Sequence, residues 1–102
     1  LKDTGATDPA QFEPVYRRIV AIDPFDIDAR ASLGRVLMQR RQPAAAVPQF
    51  KAVVALKPVD QAAAFTDLAE SYYASGKPAD ARRQTLAALE IAPSYERVQD
   101  LL

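Results

Sequence analysis

Pro24, Pro58 and Pro93 each close an apolar-periodic stretch, and they lie 34 and 35 residues apart. An interval of that length, once repeated, commits a chain to a string of similar two-helix units. One such unit cannot bury its apolar face alone and must stack on the next. The register also holds inside the units. Pro9, Pro43 and Pro78 open matching stretches, and Phe12, Ala46 and Ala81 follow three residues later. Tyr16, Phe50 and Thr85 come next, then Ile19, Val53 and Ala88, then Ile22, Leu56 and Ile91. The preceding stretches align Arg30, Leu33, Gly34 and Leu37 with Phe65, Leu68, Ala69 and Tyr72, and one extra residue near Asp60 or Gln61 accounts for the longer interval.

Each stretch carries helix signals. Asp8 is an N-cap followed by proline at the first helical position, and Phe12, Val15, Tyr16, Ile19, Val20 and Ile22 keep one stripe, which predicts a helix over Pro9 to Ile22. Pro24 stops it, because the residue before a proline is pushed out of the α region. A second helix starts near Asp26 with Ala29, Leu33, Val36 and Leu37 on one face, and Arg40 to Gln42 form the turn. A third runs from Pro43 towards Lys57, a fourth from Gln61 to Ser75 with Gly76 as a left-handed cap, and a fifth from Pro78 to Ile91. Tyr95 to Leu102 reads as a short sixth. Pro14 and Pro48 each withdraw one amide near a helix start, which predicts a local widening or kink and not an end.

No stretch shows the strict alternation of a half-buried strand, so the fold class is all-α. The partition is a tail or remnant of a preceding element over 1–8 and a repeat domain over 9–102. That domain divides into a half repeat at 9–24, full repeats at 27–58 and 62–93, and a capping helix at 95–102. The chain starts on Leu1 and stops within an apparent helix, and is expected to be a piece of something longer.

Composition removes several function classes. Thirteen Lys plus Arg balance thirteen Asp plus Glu, so no global field favours nucleic acid or an anionic membrane. With no Cys and no His there are no thiol nucleophiles, no imidazole bases and no common zinc ligands. No apolar run reaches the roughly 20 residues of a membrane-spanning helix, so membrane insertion is not expected. No cofactor and no metal are expected either: Asp23, Asp26 and Asp28 lack the Gly and the closing Glu of a calcium loop. Asp67 and Glu70 share a helix face, but acid–base catalysis needs a closed pocket, which an open helical array does not supply. The arginine pairs Arg17–Arg18, Arg40–Arg41 and Arg82–Arg83 share no repeat column and no interleaved aromatics, and read as solvated surface.

The set of columns resembles the tetratricopeptide repeat over about Pro9 to Pro93: a large residue, Leu and Gly three and four later, then an aromatic or Leu, an Ala, an aromatic, a small residue and a closing Pro. Arg30 in place of an aromatic, Arg41 in place of a capping Gly and Thr85 in place of an aromatic are departures. The resemblance implies a right-handed superhelix of about two and a half repeats and roughly six helices. It also implies that Gly34 and Ala69 sit where paired helices approach closely, while Ala46 and Ala81 receive a neighbour.

The resemblance further implies a non-enzymatic scaffold for a protein or peptide partner, held on the concave face of the first helices. Transferred to this sequence, that face comprises Asp28, Ser32, Arg35, Gln39, Thr66, Asp67, Glu70 and Tyr73, with Ala63 beside them. The clamp of Lys, Asn and Arg that some relatives use for chaperone tails is not expected, since Ser32, Ala63 and Asp67 stand in the columns that align. The alternative is a structural or dimerising appendage of a larger bacterial enzyme or secretion component. Weak self-association is also expected through the array's ends, where Val15, Ile19, Val20, Val98, Leu101 and Leu102 offer apolar surface.

Overall fold

A computed structural model describes residues 8–101, so the expected tail falls outside the described residues except for Asp8. Six helices follow one another: α1 (Pro9–Ile22), α2 (Ile27–Gln39), α3 (Pro43–Ala55), α4 (Gln61–Ala74), α5 (Pro78–Ile91) and α6 (Glu96–Gln99). Caps set the starts. Asp8 accepts from Ala10 N, Asp26 from Ala29 N and Asp60 from Ala63 N, each at 3.0 Å, which satisfies orphan amides of the first turn. α3 and α5 have no side-chain cap and begin instead on Pro43 and Pro78, whose missing N–H needs no partner there. The helices continue through Pro14 and Pro48. Among the described residues no helix is long and apolar enough to cross a membrane.

Two of the C-termini use the same device with different residues. At α4, Lys77 N donates to Tyr72 O and Gly76 N to Tyr73 O, with Gly76 at φ 80°. At α2, Gln42 N donates to Leu37 O and Arg41 N to Met38 O, with Arg41 at φ 61°. Both are left-handed helix ends that return two orphan carbonyls to the hydrogen-bond network. Arg41 therefore does the work of Gly76 with a Cβ in place. Lys57, after α3, also adopts a positive φ, 57°, which no sequence signal marked.

α2 packs on α3 and α4 on α5, while α3 also packs on α4 and α1 on α2. Each first helix is thus wedged between two second helices. The core runs through the middle of this stack: Leu33, Leu37, Ala46, Phe50 and Leu68 are buried together, with Tyr16, Val20, Met38, Val54 and Tyr72 packed on them. Gly34 is the point of closest approach, since a Cβ placed there would lie 2.7 Å from Cε1 and Cζ of Phe50. Arg30, in the column of a large residue, spans the same helix pair one turn away on the same face of α2. Its Nε donates to Pro24 O and its Nη1 to Gln49 Oε1, each at 3.0 Å.

The two ends differ from expectation in detail. α6 is a single four-residue helix followed by a turn, shorter than the predicted Tyr95–Leu102, and Leu102 falls outside the described residues. Val98, expected to lie open at that end, is fully buried, and Leu101 is half-buried. At the other end α1 buries no residue completely: Val15 is exposed, and Ile19 and Val20 are half-buried. Glu13 fastens α1, because its carboxylate accepts from Arg17 Nε at 2.7 Å and from Arg40 at the end of α2. The hydrogen bond from Arg17, and then that from Arg40, hold the Glu13 carboxyl below its ordinary range.

Two outcomes follow from these contacts. Gly34→Ala should lower stability by about 1–2 kcal/mol, the overpacking of the Phe50 ring exceeding the helix-propensity gain of roughly 1 kcal/mol. Gly34→Ala combined with Phe50→Leu, which removes the ring tip, should show favourable coupling in urea unfolding, and strictly additive losses would contradict the contact. Glu13 has a folded-state pKa below its unfolded value, so its contribution is complete above roughly pH 4.3 and fades as pH falls through the folded value. Glu13→Gln should flatten that part of the acid-unfolding profile while leaving the neutral-pH slope unchanged.

Candidate functional site

Repetition of the first helix places the same face of α2, α4 and α6 in line. From α2 come Arg35 and Gln39, four residues apart, and from α4 come Asp67 and Glu70, three apart, so each pair shares a helix face. With Met38, Phe50, Ala63 and Arg97 they line a depression of about 460 Å³. A second depression of about 300 Å³ adjoins it, lined by Phe12, Tyr16, Ser32, Arg35, Val36 and Gln39. Arg35 and Gln39 belong to both, which makes one groove with an aromatic end at α1 and a charged end at α6.

One of the two negative charges at the charged end is balanced from within. Arg97 Nη2 donates to Asp67 Oδ1 and to Glu70 Oε1 at 2.8 Å, and Arg97 Nε lies 3.3 Å from Glu70 Oε2. Partial burial opposes the charge on Arg97, but its hydrogen bonds to Glu70 and Asp67 outweigh it and raise the guanidinium above its ordinary pKa. The arrangement is a forked, charge-assisted pairing that fixes α6 on α4. Arg35 by contrast is exposed and reaches only Ser32 Oγ, at 3.4 Å. No carboxylate among the described residues pairs with it.

Five of the eight residues expected on the binding face meet in this groove: Ser32, Arg35, Gln39, Asp67 and Glu70. Thr66 does not. It is fully buried and its hydroxyl donates to Ala62 O at 2.7 Å, so it satisfies itself inside the stack and offers nothing to a partner. Asp28 is exposed on the first turn of α2, where a carboxylate favours the helix N-terminus, and it lines neither depression. Tyr73 is 70% exposed but borders a separate depression of about 380 Å³, formed with Ala81, Thr85, Leu86 and Leu101.

The groove also contains residues that sequence reasoning left out. Phe12, Tyr16, Met38 and Phe50 supply its apolar lining, and Arg97 its second cation. A signal for Arg97 existed. Two carboxylates three residues apart on a first helix require a cation, and Arg97 is the base that the next first helix carries. Among the described residues no group of three or more metal-ligating side chains comes together.

A protein-family comparison matches residues 37–102 to a model described as the tetratricopeptide repeat. The match runs from the end of α2 to the C-terminus, more than half of the chain. No curated protein matches the chain.

The triad makes a prediction of its own. Arg97→Ala leaves two part-exposed carboxylates facing each other, and should cost about 1–2 kcal/mol after allowance for solvent screening. Adding Asp67→Asn and Glu70→Gln should restore part of that loss at low salt. Thermal unfolding in which the single and triple variants match, with wild type indistinguishable from both, would show that α6 is held without the ion pairs.

Proposed function

The chain belongs to the tetratricopeptide repeat family, and from that premise we propose that it is a scaffold module whose groove along α2, α4 and α6 holds an extended segment of a partner protein. Repeats of this family generally mediate protein–protein interaction and are not catalytic in themselves. The observation that carries the groove reading is the continuity of the two depressions through Arg35 and Gln39. The lining is mixed: Phe12, Tyr16, Met38 and Phe50 are apolar, and Ser32, Arg35, Gln39, Asp67, Glu70 and Arg97 are polar. Such a lining buries side chains of a bound segment while directed groups fix its orientation.

The electrostatics narrow the kind of segment. Arg97 balances one of the two charges of Asp67 and Glu70, and the charged side chain without an ion-pair partner along the groove is Arg35. A segment carrying a carboxylate beside one or two large apolar residues fits best: the carboxylate would meet the Arg35 guanidinium with Ser32 and Gln39 at its flanks. The preformed groove limits the ordering cost to the partner's side. The appendage reading draws support from a different observation, the exposure of Phe12 and Val15 on α1, over which the described residues place no first helix of its own unit.

Selection of short peptides from a displayed random library on the intact chain tests the groove. Arg35→Glu should weaken the selected peptides by at least tenfold, equivalent to about 1.4 kcal/mol, and should abolish any preference for an acidic residue. Lys51→Glu, on α3 outside the groove, should change little. Peptides that bind Arg35→Glu, Gln39→Ala and wild type alike would reject the assignment.

A further inference from the structure

A second surface stands out on the edge of the stack where second helices end and first helices begin. Phe25 is 74% exposed, Val59 is fully exposed and Ile22 is 79% exposed, with Ile91 about half so. These four are periodic. Phe25 and Val59 each follow the proline that closes a unit, 34 residues apart, and Ile22 and Ile91 occupy the preceding helix-end column. Large apolar side chains left in water at the same step of successive units form a line along one edge, and such surface marks an interaction site when nothing in the fold covers it.

The edge is also preorganised and charged. Asp23 Oδ1 accepts from Phe25 N at 3.1 Å and Asp26 N donates to Asp23 O at 3.1 Å, so the turn that presents Phe25 is fixed before any partner arrives. Asp23 and Asp28 lie within three residues of Phe25 in the chain, Glu90 adjoins Ile91, and all three are exposed. Arg30 does not offset them outward, because its head group is turned onto Pro24 O and Gln49. Lys57 is an exposed cation of this edge, whereas at the opposite edge, at the turns within units, Arg41 and Lys77 are exposed and Arg40 is held by Glu13. The chain is neutral as a whole, yet its charges are sorted across the stack. A cationic segment is attracted to one edge and repelled by the other.

We propose that the edge formed by Ile22, Phe25, Val59 and Ile91 is a docking ridge for a basic amphipathic helix of a partner protein, distinct from the groove. The apolar face of that helix covers Phe25 and Val59, and its Lys or Arg residues meet Asp23, Asp28 and Glu90.

The test uses the intact chain and a synthetic amphipathic peptide of about four helical turns, Leu on one face and Lys on the other, followed by fluorescence anisotropy. Wild type should bind it, and added salt should weaken the binding. Phe25→Ser with Val59→Ser should reduce affinity at least tenfold while leaving the urea midpoint unchanged, since both side chains are already exposed. Asp23→Asn with Asp28→Asn should weaken binding several-fold. Arg35→Glu, in the groove, should leave it intact, which keeps this outcome separate from that of the groove. Equal binding by wild type and the Phe25/Val59 variant would overturn the proposal, as would equal binding of a Leu/Glu peptide. Sedimentation showing that wild type self-associates and that the same double variant is monomeric would also overturn it, by assigning the ridge to a second copy.

Discussion

The contact between the Gly34 backbone and the Phe50 ring sets the geometry on which everything else depends. It fixes how closely α2 approaches α3, and therefore how far Arg35 and Gln39 stand from the second helices that line the groove. A residue with a Cβ at position 34 would separate the pair and widen the groove from its floor, since Phe50 is both the ring under Gly34 and part of the lining. Packing and site are here one set of atoms. The same logic explains why Ala46 and Ala69 are small: each is buried where a neighbouring helix must come close.

Around that centre the terminal elements are attached by arginines more than by apolar area. α1 buries no residue fully, and Glu13 links it to Arg40. α6 is four residues long, and Arg97 links it to Asp67 and Glu70. Val98 adds a fully buried apolar anchor at one end, whereas at the other Tyr16 and Val20 pack on the core while only half-buried. The stack thus has an apolar middle and ion-paired margins, and exposed ion pairs are weak and salt-sensitive. Local opening is expected to begin at the margins, because the free energy of opening follows the density of buried contacts.

The helices were legible because their boundaries rest on local chemistry. Pro9, Pro43 and Pro78 start helices, Asp8, Asp26 and Asp60 cap them, and Pro24, Pro58 and Pro93 close units, so a reading of neighbours suffices. Side-chain direction was less legible. Thr66, Ser71 and Thr85 are polar in sequence yet buried, because each hydroxyl donates to a carbonyl three or four residues back in its own helix. A polar residue that supplies its own partner carries no outward signal. Arg97 was missed for the opposite reason: its partners lie 27 and 30 residues away, and no helical period connects them. Of the expected face, Ser32, Arg35, Gln39, Asp67 and Glu70 line the groove, whereas at Thr66 the face turns into the core.

Arg41 and Lys57 hold a left-handed conformation that Gly76 adopts without strain, and for a residue with a Cβ this costs on the order of 1 kcal/mol. Both are cations at turns, one on each edge of the stack. A change to glycine at either turn would relax the backbone and delete a surface charge in the same step. Conformational ease and the pattern of charge that distinguishes the two edges are consequently controlled at shared positions. Glycine cannot relieve the strain at these turns without also changing the charge that each edge carries.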